Sequence, residues 1–236
     1  MTTMARLARL EAAAQAADRL RPRGQDCKQV QEAVLSTIRW VRFHTKTYNP
    51  HWKVEGRPAP YEPFPDLPYF APILELLDLE RIVWIEKSRD MMISWACVAF
   101  LTLKAMTMRE CQVLLQTQKL DKAVQLVDYA KCLYDQQDSF LKDAFPLTKP
   151  TKRMSKYELT FANGSEIVGI PGGADQIRSY HPWGYLLDEA AFVPDAGECY
   201  NTALAAAKGS IILNSSAGPG WFADAKRDII KVSGDR

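Results

Sequence analysis

Long hydrophobic runs are missing from this sequence. The longest, around Trp95 to Met106, is too short and too interrupted to span a bilayer, and no signal-peptide pattern opens the chain. Histidine is scarce, and His44, His51 and His181 share no metal-ligand spacing, so no metal is assigned to them. The five cysteines (Cys27, Cys97, Cys111, Cys132 and Cys199) are odd in number, scattered and free of a CxxC pair. That excludes a disulfide frame or zinc site and reads as reduced thiols in a cytoplasmic compartment. Charge of either sign is nearly balanced, at a net +2. Nothing global therefore demands a nucleic-acid partner, and any DNA contact must come from a local patch or from assembly into a ring.

What remains is enough for one sizeable α/β core: 236 residues, 47% hydrophobic. The first twenty residues set Ala12, Ala13, Ala14, Ala16 and Ala17 among Arg6, Arg9 and Arg19, as in an exposed basic helix that Arg21-Pro-Arg-Gly24 ends. A second helical pattern runs from about Gln25 to Phe43, with Val30, Val34, Ile38 and Val41 on one face. Residues 49–72 are rich in proline and aromatics. Tyr61, Phe64, Tyr69 and Phe70 are too apolar for a free linker, so this is a connector that wraps a core.

From there strands and helices alternate. Arg81–Glu86 is a short apolar run and Ser94–Met106 an apolar helix. Cys111–Gln116 reads as a strand, after which Thr117 is expected to cap an amphipathic helix carrying Leu120, Val124, Val127, Ala130 and Leu133 or Tyr134. Tyr157–Phe161 and Glu166–Ile170 flank Asn163-Gly164, a hairpin signal. Gly184–Asp188 and Ser210–Asn214 are further buried strands. Strands apolar on both faces and separated by helices predict a mainly parallel α/β sheet flanked by helices, preceded by an N-terminal helical segment.

In such a sheet, ligands bind beyond the carboxyl ends of the strands. Three ends carry chemistry. Between a strand and a helix lies Lys87-Ser-Arg-Asp-Met-Met-Ile-Ser94, where Lys87 or Arg89 supplies a cation and Ser94 a hydroxyl for Mg²⁺. The pattern GxxxxGK[ST] is absent there, and an ordinary turn with two solvated basic residues is the bland alternative. Tyr185-Leu-Leu-Asp-Glu189 ends a buried strand in two acids, fit for a metal-binding aspartate and a water-polarising glutamate, or for capping the next helix. Asn214-Ser-Ser-Ala-Gly-Pro-Gly220 follows another apolar strand; it suits a γ-phosphate sensor or a plain surface turn.

With these elements in order, the sequence resembles the large terminase subunits of tailed phages, over about residues 60–225. Lys87 to Ser94 resembles their deviant Walker A, and Leu186–Phe192 their Walker B. Leu213–Gly220 is similar to their coupling motif, and Leu67-Pro-Tyr69 sits where an adenine-contacting pair is frequent. The resemblance implies an additional-strand P-loop ATPase fold, with ATP and Mg²⁺ as cofactors. The nucleotide would be held by Lys87, Ser88, Arg89, Asp90, Met91, Met92, Ile93, Ser94 and Tyr69, and the metal by Ser94 and Asp188. Lys87, Glu189 and Arg178 would be catalytic, the last as an arginine finger from a neighbouring subunit or else a surface partner of Asp175. Asn214, Ser215 and Ser216 would couple hydrolysis to movement. Met92 stands where the family's loop usually has glycine, and Phe70 replaces the expected glutamine.

The implied activity is ATP-driven translocation of double-stranded viral DNA into a procapsid, in the host cytoplasm. The implied partners are a portal protein and a small terminase subunit. The chain is expected to form a ring on the portal, to be a monomer alone, and to have no membrane role. Alternatives are a helicase-like remodelling ATPase or a weakly nucleotide-binding portal-docking module. The expected division is residues 1–58 as helical segment and connector and 59–236 as the ATPase domain, with the family's nuclease domain beyond the last residue. Lys149, Lys152, Arg153 and Lys156 either face DNA phosphates or form a solvated loop.

Overall fold

The computed structural model describes residues 26–234. The basic helix expected over the first twenty residues lies outside them. The helical pattern predicted from Gln25 to Phe43 is two helices, α1 (Asp26–Ala33) and α2 (Thr37–Phe43). Ser36 makes the break: its hydroxyl accepts the Arg39 amide at 3.4 Å and starts a new helix, so Trp40 and Val41 turn into the core while Leu35 stays outside.

The proline-rich connector holds a small antiparallel ladder of β1 (Lys46–Tyr48) and β2 (Tyr61–Pro63). It does not run on as a connector to residue 72, because helix α3 (Phe70–Leu79) starts inside it. Pro72 is tolerated in its first turn, where amides have no helical partner. Phe64 and Phe70 are buried against each other edge to face, as a wrapping segment requires.

The main sheet contains β3 (Ile82–Lys87), β4 (Gln112–Gln116), β5 (Glu158–Thr160), β6 (Glu166–Ile170), β7 (Gly184–Asp188) and β8 (Ile211–Ser216), in the spatial order β3-β8-β7-β4-β6-β5. Every pairing is parallel except the β5–β6 hairpin. At that hairpin Gly164 takes φ +85°, a conformation an L side chain rarely adopts. Strand β8 comes last in the chain but inserts between β3 and β7. That extra central strand puts the first loop and the acidic pair two strands apart.

Alternation along the strands divides the core in two. Val83, Ile85, Val113, Leu115, Leu186 and Ile212 face one side, beneath α2, α3, α4 (Ile93–Thr107) and α5 (Leu120–Asp135). Leu114, Tyr185, Leu187, Ile211 and Leu213 face the other, beneath α7 (Asp175–Arg178), α8 (Ala196–Ala206) and α9 (Trp221–Gly234). A short helix α6 (Ser139–Ala144) follows α5. Helix α4 is apolar nearly all round because it is buried nearly all round. Gly184 lets it approach β7, since a Cβ there would lie 2.7 Å from Leu101.

Thr117 does not cap α5. The chain needs three residues to leave the sheet edge, so the helix starts at Leu120 with Lys119 at its N-cap, and Thr117 is buried beside a cleft.

Candidate active site

The three loaded strand ends meet at one carboxyl edge. Parallel register sets Lys87 beside Ser216 on β8, and Asn214 beside Asp188 on β7. The resulting cleft of about 630 Å³ is lined by the loop from Lys87 to Ser94, by Asp188 and Glu189, and by the start of α5.

Two knots of hydrogen bonds organise it. In the first, Ser94 Oγ donates to Asp188 Oδ1 at 2.8 Å, and Asn214 Nδ2 donates to the same oxygen at 2.6 Å and to Ser94 Oγ at 3.1 Å. Asp188 is only 8% exposed. Burial lifts its carboxyl to about 6, further raised by neighbouring Glu189 and opposed by the Ser94 and Asn214 bonds and the Lys87 charge. Asn214 Oδ1 is buried without a partner.

In the second knot, Lys87 Nζ donates to Glu189 Oε1 at 2.8 Å, and Ser216 reaches the same carboxylate through its amide at 3.2 Å and its hydroxyl at 3.3 Å. Burial pushes the Glu189 carboxyl up, but the Lys87 and Ser216 bonds outweigh it and hold it below the ordinary glutamate range. The Lys87 side chain is 8% exposed and thus not the open strand-end cation that position alone would suggest.

The loop that joins β3 to α4 carries its turn without glycine. Asp90 takes φ 60° and Met92 φ 52°, and Met92 is the N-cap of α4. Glu189 is left-handed as well, at φ 53°. Such backbone costs of order 1–3 kcal/mol per residue and collects where surrounding structure holds it for a purpose. Met92 therefore stands in a conformation that glycine adopts without strain.

Some expected residues fall elsewhere. Tyr69 does not line the cleft; its hydroxyl donates to the Met91 carbonyl at 3.2 Å and braces the loop from behind. Phe70, at the place of the missing glutamine, is core. Arg178 lies outside the cleft, exposed, paired with Asp175 at 2.7 Å and Glu198 at 3.3 Å. Ser215 is buried, and its hydroxyl accepts the Ala191 amide at 3.0 Å, tying β8 to the turn after Glu189. Lys149 pairs with Glu158, Lys156 lies over Tyr157, and none of the four basic residues from Lys149 to Lys156 lines the cleft.

Sequence reasoning missed the α5 wall: Thr117, Gln118, Lys122 and Gln125, with Phe192 opposite. Its only signal was that β4 is one more strand whose carboxyl end opens on the same edge.

No group of three or more His, Cys, Asp or Glu side chains stands ready for a metal among the described residues. Ser94 and Asp188 do offer two hard oxygens side by side, a donor set that suits Mg²⁺ shared with phosphate oxygens. Among those residues no helix is long and apolar enough to cross a membrane.

A mainly parallel sheet in which β8 is inserted between β3 and β7 is the arrangement of the additional-strand P-loop fold. The fold is similar to that of bacteriophage large terminases. The crystal structure of the HK97 bacteriophage large terminase superposes with a TM-score of 0.64 over 86% of this chain, at 12% identity. This chain spans 42% of that one. Two structures of the Thermus phage P74-26 large terminase ATPase domain match at 15% and 16% identity, with TM-scores of 0.44 and 0.43. Each covers 76% of this chain, which spans 74% and 73% of theirs. No protein-family profile and no curated protein matches the sequence.

Proposed function

We propose that this chain is the ATP-hydrolysing motor domain of a DNA-packaging terminase, driving double-stranded viral DNA into a procapsid. The observation that carries the reading is the meeting of Lys87, Ser94, Asp188, Glu189, Asn214 and Ser216 at one edge, drawn from the ends of three separate strands and the start of α4.

Each group has a task that its surroundings suit. The loop amides and Lys87 would bind the phosphates, and Ser94 with Asp188 would hold Mg²⁺, which would neutralise charge on the phosphate oxygens. Glu189, kept ionised by its partners, orients the attacking water and accepts its proton. Ser216 and Asn214 touch Glu189 and Asp188 respectively, so a change at the phosphates is felt directly by β8 and the loop into α9. Arg178 does not line this cleft, so any role it has in phosphoryl transfer is played in a neighbouring subunit's site. The portal-docking alternative leaned on Met92, which takes a left-handed backbone of the kind glycine adopts most easily and so does not by itself argue against a phosphate-binding loop.

In this reading residues 59–236 form the motor, and α2, whose Trp40 and Val41 lie in the same core, packs onto it. The chain works in the host cytoplasm as a ring on a portal, with a small terminase subunit. The test is Mg²⁺-dependent ATP turnover, its stimulation by double-stranded DNA, and its loss in Glu189→Gln. A folded protein that binds no ATP, or whose turnover ignores Glu189, defeats the proposal.

A further inference from the structure

The cleft holds a cation that the residues discussed so far do not explain. Lys122 sits in the first turn of α5 and lines the same cavity as Ser94, Asp188 and Glu189. It is exposed, and it has no ion pair or side-chain hydrogen bond among the described residues. Arg89, across the cleft on the phosphate loop, is likewise exposed and unpaired. Lys87, in contrast, is buried and already taken by Glu189.

Topology explains how Lys122 gets there. Strand β4 lies directly beside β7, with Gln116 opposite Leu187. The chain leaves β4 after Gln116, and after three residues α5 begins at Leu120. Lys122 therefore enters the cleft from the β4 side of β7, while Lys87 enters from β3, two strands beyond β7 in the other direction.

We infer that Lys122 is a second cation for the terminal phosphate of the bound nucleotide, supplied by the same subunit. The inference rests on the ATPase reading above and adds a residue to it. A triphosphate seated on the Lys87–Ser94 loop presents its last phosphate towards Asp188 and Glu189, where charge is densest. A lysine with no competing carboxylate is free to meet it, and a diphosphate, one group shorter, does not reach it. Lys122 thus discriminates ATP from ADP and, by touching the transferred group, stabilises charge on it during hydrolysis.

The test compares Mg·ATP and Mg·ADP dissociation constants and steady-state turnover of the full chain with Lys122→Met and Lys122→Arg. An exposed side chain with no partner is dispensable to folding, which circular dichroism verifies. Lys122→Met is expected to weaken ATP about tenfold, the size of one charge-assisted hydrogen bond, and to leave ADP unchanged. Turnover falls with it, and Lys122→Arg recovers most of the ATP preference. If wild-type protein binds ATP and Lys122→Met keeps the same ATP-to-ADP ratio, the inference is overturned and the ATPase reading stands. If Lys122→Met instead weakens double-stranded DNA binding at unchanged nucleotide constants, the lysine serves DNA phosphates and the inference is overturned too. Wild-type protein that binds neither nucleotide removes the ATPase reading itself and the inference with it.

Discussion

Lys87 Nζ and Glu189 Oε1 lie 2.8 Å apart, and Ser216 bridges them, its hydroxyl accepting from Lys87 at 3.4 Å and donating to Glu189 at 3.3 Å. If a γ-phosphate takes up the Lys87 ammonium in place of Glu189, the Lys87–Glu189 contact weakens and the carboxylate is freed for water. Lys87→Ala is expected to lower turnover by about 10²–10³. Because the side chain is buried, it should also cost some thermal stability. A double-mutant cycle with Glu189→Gln, read by melting temperature, should show coupling without nucleotide and little with a non-hydrolysable ATP analogue. Equal coupling in both states argues against the exchange of partners.

Asp188 and Glu189 are adjacent but differently held, so their losses should differ. Asp188→Ala removes the acceptor of both Ser94 and Asn214 and is expected to weaken Mg²⁺-dependent nucleotide binding. Glu189→Gln should bind ATP normally and turn over about 10²–10⁴ times more slowly. Titration calorimetry and single-turnover rates separate the two. Equal, mild effects would make the pair a helix cap.

Met92 reverses the usual order of Ala and Gly. Within a helix Gly is less stable than Ala by about 0.5–1 kcal/mol. At φ 52°, Ala keeps the left-handed strain while Gly removes it, and both lose the same methionine packing. Met92→Gly is expected to be more stable than Met92→Ala by about 1 kcal/mol in urea denaturation. The ordinary order would mean that the loop relaxes out of this conformation.

Arg178 acts between subunits or not at all, because within its own chain it is engaged by Asp175 and Glu198 outside the cleft. Specific ATPase activity should then rise with protein concentration, and Arg178→Ala should abolish the rise while keeping nucleotide affinity. Mixing Arg178→Ala with Glu189→Gln protein should restore activity, since the second lends its arginine to the intact sites of the first. Absence of rescue at concentrations where the subunits associate returns Arg178 to a surface ion pair.

The sequence by itself determined the class of fold and pointed to the strand ends that line most of the cleft. Leu186-Leu187-Asp188-Glu189 could only be a buried strand ending in acids, Asn163-Gly164 could only turn a hairpin, and Lys87 and Ser94 bracketed a loop between strand and helix. These are local patterns, legible because they depend on neighbours within a few residues. Strand order was decided by tertiary structure, since parallel strands are placed by how their crossover helices pack. Only that order sets β8 between β3 and β7, and so brings Asn214 to Ser94 and Asp188, and Ser216 to Lys87 and Glu189. It also sets α5 beside the acids, which makes Lys122 part of the cleft though nothing near it in sequence says so. The direction of Tyr69 and the break at Ser36 belong to the same level, because burial of Phe70 and Trp40 chose them over local periodicity.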